Sequence, residues 1–61
     1  MTYYDYYIDT ENNKIHRGGC PQLLSIPHIF LGNFKNHDTA FQFAEFRGYI
    51  NPSLCKSCNY L

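Results

Sequence analysis

His16-Arg17-Gly18-Gly19-Cys20 and Cys55-Lys56-Ser57-Cys58 together hold all three cysteines of the chain and one of its three histidines. A tetrahedral structural zinc ion takes four N or S ligands, and three thiolates with one imidazole close that shell with nothing left over. A disulfide framework built from three cysteines leaves one thiol unpaired. Two short-spaced ligand pairs separated by a folded insert are the usual construction of a structural zinc site, so the spacing predicts Zn2+ held by His16, Cys20, Cys55 and Cys58.

A chain of this length is expected to carry some such staple. A single domain of 61 residues, spanning 1–61, buries only about 60% of the surface its unfolded form exposes. Its core rarely supplies more than about 3–5 kcal/mol. A structural zinc ion contributes roughly 10–16 kcal/mol near neutral pH, and without a preformed site in the unfolded chain that energy is folding energy.

Outward from the first ligand pair, Thr2 to Asp9 alternates in β-favouring types, with Tyr4, Tyr6 and Ile8 on one face and Tyr3, Asp5, Tyr7 and Asp9 on the other. Thr10 to Asn13 is turn-prone, and Lys14-Ile15-His16 reads as the returning strand of a hairpin that ends at His16. Gly18-Gly19 lets the backbone turn sharply enough for both knuckle ligands to face one ion. Gln22 to Pro27 is a connector, and His28 to Phe34 is a third strand in which Gly32 marks a bulge or a close approach. Asn36 caps a helix whose Ala40, Phe41, Phe43 and Ala44 cover an arc of about 160°. Asp38, Gln42 and Glu45 take the opposite side, and Gly48 stops the helix. Phe46 falls among the polar positions and is expected either to tuck under the C-terminal loop, the preferred reading, or to stand exposed in a contact patch. The sum is an α+β domain: a small three-stranded antiparallel sheet, one helix packed on it, and a zinc knuckle pair of three Cys and one His.

Rival readings of the cysteines fare worse. A redox CxxC is expected at a helix N-terminus after a strand in a thioredoxin-like unit, whereas Cys55-x2-Cys58 has only three residues after it. Neither His28 nor His37 has a cysteine at knuckle spacing, which favours His16 over either as the imidazole ligand. His28 is read as a sheet-face residue and His37 as a solvent-exposed position near the helix start. The second ring nitrogen of a metal-bound His16 is expected to donate to a carbonyl or carboxylate.

The order His-x3-Cys, a strand ending in Phe34, a helix bearing Ala40 and Ala44, Gly48-Tyr49 and then Cys-x2-Cys resembles the metal-binding domain of the Ada-type DNA methylphosphotriester repair proteins. The resemblance runs from about Lys14 to Cys58. It implies a hairpin and helix framing one zinc site, with Cys20, Cys55 and Cys58 matching ligand positions. In the repair proteins all four ligands are cysteines, and the first accepts a methyl group from damaged DNA. The chain departs there, because His16 occupies that place and a zinc-bound neutral imidazole has no free lone pair with which to attack. Three thiolates also carry one negative charge fewer than four, which lowers the nucleophilicity of the remaining sulfurs. The stretch from Tyr49 to Cys55 is longer than the family's link, and the methyl-transfer activity is not carried over.

Formal net charge is zero, which argues against a polyanion partner. All basic residues follow position 13, and Arg17 and Lys56 flank presumed ligands, where they are expected to offset thiolate charge. No secretory leader or membrane-length apolar run is apparent, so a cytoplasmic protein with free thiols is expected. Six tyrosines and five phenylalanines suit an interaction surface, with Tyr3 and Tyr7 on the outward strand face as anchors. The expected function is a small non-enzymatic zinc-binding module for a macromolecular partner, with an unidentified protein ahead of nucleic acid, no membrane, and a monomeric or weakly dimeric state. The alternative is a nucleic-acid-binding domain related to Ada-type alkylation repair, using Arg17 and Lys56 on phosphates. Catalysis by an open zinc is disfavoured, since catalytic sites use fewer thiolates and keep a water position.

Overall fold

A computed structural model describes residues 2–57. Its elements run β1 (Tyr4–Asp9), β2 (Lys14–Arg17), a 3₁₀ helix (Pro21–Ser25), β3 (His28–Phe34), α1 (His37–Phe46) and β4 (Ser53–Leu54). The α+β class holds, but the sheet differs from expectation. It is four-stranded and mixed, in the order β3-β1-β2-β4, with β4 parallel to β2 and the other pairs antiparallel. The fourth strand escaped the sequence reading because two residues carry no period, and parallel pairing gives no hairpin signal.

The β1–β2 hairpin forms where side chains supply the turn. Asp9 Oδ1 accepts from the Glu11 amide at 2.7 Å and Asn12 Oδ1 from the Lys14 amide at 2.9 Å, which are Asx turns. Asn13 takes the left-handed φ of 60° that asparagine tolerates. This local demand buries Asp9 although its strand parity pointed it outward. Tyr4, expected on the buried face, pairs with Phe34 at the first position of β1 and is exposed.

Directly paired residues share a sheet face. Ile8 pairs with Ile15, and both pack with Tyr6, Leu31, Ala40 and Ala44 in the core beneath α1. Alanines at 40 and 44 let the helix backbone approach the sheet closely, while Phe41 and Phe43 close the sides. Tyr7 pairs with His16 and therefore faces away from the helix. Opposite Tyr6 and Tyr7, β3 holds one extra residue, Leu31, between Phe30 and Gly32. That bulge re-aims the strand, so Phe30 sits beside Tyr7 on the outer face while Leu31 turns into the core. Gly32 satisfies both sequence expectations, since it borders the bulge and a Cβ there would come within 2.7 Å of the Phe34 ring.

Helix ends match the sequence signals. Asn36 accepts from the Thr39 amide at 2.9 Å. At the other end the Tyr49 amide bonds Ala44 O and the Gly48 amide bonds Glu45 O, both at 3.1 Å, with Gly48 at φ 92°. This is a Schellman motif. Phe46, however, is 83% exposed. The chain reverses at the Schellman motif, and none of the described residues that follow covers Phe46.

Replacing Asn36 by Ala is expected to lower stability by about 1 kcal/mol in denaturant unfolding, through loss of the cap. Gly32→Ala should destabilise more than Gly18→Ala, whose added carbon would meet nothing closer than 3.3 Å.

Candidate metal centre

Three of the four expected ligands converge. His16, Cys20 and Cys55 are all buried, and their donor atoms lie within 4.8 Å of one another. His16 Nδ1 is 3.6 Å from Cys20 Sγ, which is 4.0 Å from Cys55 Sγ. Cys58 lies outside the described residues. His28 and His37 are placed elsewhere: His28 Nδ1 is 2.9 Å from the Ile26 carbonyl, and His37 lies 3.7 Å from Asp38 in the first helical turn.

Each ligand arrives by a separate device. His16 stands on β2, on the face opposite the helix. Cys20 follows a tight turn closed by its own amide on Arg17 O at 3.0 Å, with Gly19 at φ 92°. Gly18 tucks against β1, donating to Asp5 O at 2.7 Å. Cys55 is delivered by the parallel pairing of β4 on β2: Lys14 pairs with Ser53 and Ile15 with Leu54, and the next step of that register sets Cys55 beside His16. The Cys55 amide donates to Ile15 O at 2.9 Å, fixing the place.

Burial defines the electrostatics. His16 is only 1% exposed, and desolvation, aided by Lys14 and His28 and opposed by Asp9, lowers its pKa from the usual 6.5. The imidazole is thereby held in the neutral form that a metal requires. Its Nε2 is buried without a hydrogen-bond partner among the described residues, so the expected carbonyl or carboxylate partner is not found there. A buried nitrogen and two buried sulfurs in mutual contact form a poor hydrogen-bonding set and a good donor set for a borderline-soft cation. The residues fit zinc.

Of the other predicted positions, Tyr3 is exposed and Tyr7 is half-buried, its ring edge-on to His28 and Phe30 at centroid distances of 5.5 and 5.4 Å. Arg17 lies across from Tyr6, with its guanidinium 4.7 Å from the Tyr4 ring centroid. It therefore belongs to the helix side of the sheet, not to the face of His16, because successive strand residues point to opposite sides. Lys56 is exposed. An open cleft of about 450 Å3 adjoins the metal centre, lined among others by Asp5, Tyr7, Cys20, Leu23, Leu24 and His28. Sequence reasoning missed this cleft. Its one available signal was the proline-bounded segment after Cys20, which forms a 3₁₀ wall instead of a plain connector.

No family model, characterised protein or solved structure matches the chain. No helix among the described residues is long and apolar enough to cross a membrane.

Acid should undo this site in a definite window. Because the folded-state pKa of His16 lies below its unfolded value, the unfolded chain binds the extra proton first, and stability falls as pH drops through about 6.5 and below. Circular dichroism across an acid titration is expected to show that onset.

Proposed function

We propose that this chain is a small, non-catalytic zinc-binding domain whose metal is structural and whose outer surface serves a protein partner. The carrying observation is the convergence of His16, Cys20 and Cys55, all buried, from three separate segments of the chain. Cys58, outside the described residues, is the fourth ligand of this reading by its spacing from Cys55 alone. When bound, zinc supplies cross-linking of the β2 end, the turn after it and the C-terminal segment. The burial of all three donors keeps the imidazole neutral, and a set of three thiolates with one imidazole suits a structural metal and not one that activates a solvent molecule.

The surface supports a binding role. Tyr3 is exposed, and Phe30 is 57% exposed although it packs on Tyr7. Large aromatics at such positions act as anchors when a partner covers them. Among the charges expected to serve a nucleic acid, Arg17 is engaged over Tyr4, and the net charge of zero gives no long-range attraction to phosphate. The protein-partner reading is accordingly preferred to a nucleic-acid interface related to alkylation repair.

Metal analysis of the purified protein is expected to give one zinc per chain. Stripping it with a strong chelator should abolish the circular dichroism signal of the folded state, and adding zinc back should restore it. A fully folded, metal-free chain would overturn the assignment. For the surface, Tyr3→Ala is expected to keep zinc content and thermal stability while losing the partner recovered by affinity capture.

A further inference from the structure

The two sulfurs of the metal centre differ in access. Cys20, 5% exposed, is among the residues lining the cleft of about 450 Å3, whereas Cys55, 2% exposed, is not. Of the two, Cys20 is the residue that borders solvent space wide enough for a small oxidant. Cys55 Sγ stands only 4.0 Å behind it. Both backbones are held, Cys55 by its amide on Ile15 O and Cys20 by its amide on Arg17 O and by its carbonyl, which accepts from the Leu23 amide. A disulfide needs the sulfurs at about 2.0 Å, so the gap between them is one for side-chain rotation to close.

We propose that Cys20 is a site of oxidation by hydroperoxides, and that Cys55 converts the product into a Cys20–Cys55 disulfide that dismantles the metal site. The inference rests on the zinc reading above. In the first step the Cys20 thiolate attacks one peroxide oxygen; the S–O bond forms, the O–O bond breaks, and the leaving hydroxide takes a proton from solvent as water. Sulfur is oxidised by two electrons and the peroxide is reduced by two. The Cys55 thiolate then attacks the sulfenic sulfur; the S–S bond forms, and the S–O bond breaks with loss of a second hydroxide, protonated by solvent. Two thiolates, one hydrogen peroxide and two protons thus give one disulfide and two waters. Both sulfurs leave the donor set together, so metal release accompanies the disulfide. A thiol reductant reverses the change.

The test uses wild-type protein whose zinc content has first been measured. Substoichiometric hydrogen peroxide is added with a dimedone trap, and in parallel without it, followed by non-reducing peptide mass mapping and a chromogenic zinc assay. The first adduct is expected on Cys20; without the trap, a Cys20–Cys55 disulfide is expected in step with one zinc released. Leu24→Trp, at the cleft rim, should slow the release severalfold with zinc content unchanged. A first adduct on Cys55 or Cys58, or a Cys55–Cys58 disulfide as the initial product, overturns the proposal while leaving the metal assignment intact. Absence of zinc at the outset instead overturns the metal assignment, and is detected before any oxidant is added.

Discussion

Parallel pairing of β4 on β2 is the constraint on which the molecule turns. It consists of little more than Ser53 and Leu54 against Lys14 and Ile15, with the amides of Ser53 and Cys55 donating to Asn13 O and Ile15 O at 3.2 and 2.9 Å. Those bonds set a sulfur from residue 55 beside an imidazole from residue 16. So short a strand pair is marginal in isolation. It holds because Leu54 packs against the core and because the site beyond it draws the same two segments together. Strand pairing and donor cluster are therefore mutually supporting.

The sheet is thin, and its two faces are closed by different physics. Beneath α1 the closure is apolar, with Ile8 and Ile15 meeting Ala40 and Ala44 at full burial. On the other face, among the described residues, no α-helix packs; the 3₁₀ segment Pro21–Ser25 stands beside it across the cleft. Tyr7, Phe30 and His28 cover one part of it by edge-on ring contacts, and His16 with the two cysteines occupies the part nearest β4. A small chain with too little apolar surface for two packed layers thus closes its second layer with aromatics and donor atoms.

Much of this was legible in the sequence because it is written locally. The helix limits followed from Asn36 and Gly48, whose cap and Schellman geometry are properties of a few adjacent residues. The third strand, His28 to Phe34, and the role of Gly32 were readable from β-favouring types broken by one glycine. Likewise His16 and Cys20 declared themselves by spacing on either side of two glycines. What stayed hidden depends on distant segments. Residues 53 and 54 become a strand only because β2 offers an edge, Tyr7 is half-covered only because the bulge at Leu31 brings Phe30 over it, and Arg17 turns to Tyr4 because strand parity separates it from His16. Phe46 was misplaced for the same reason, since its exposure is decided by where the chain goes after Gly48.

Thirty-five residues of sequence separate Cys20 from Cys55, and nearly all of the regular structure lies between them or just before. Closing a loop of that size costs configurational entropy that grows only slowly with length, yet it must be met before the cluster gives anything back. The hairpin and the capped helix are local and form quickly by comparison. The donor cluster is therefore the long-range closure of the domain, and its formation has to offset an entropy cost that the hairpin and helix do not carry.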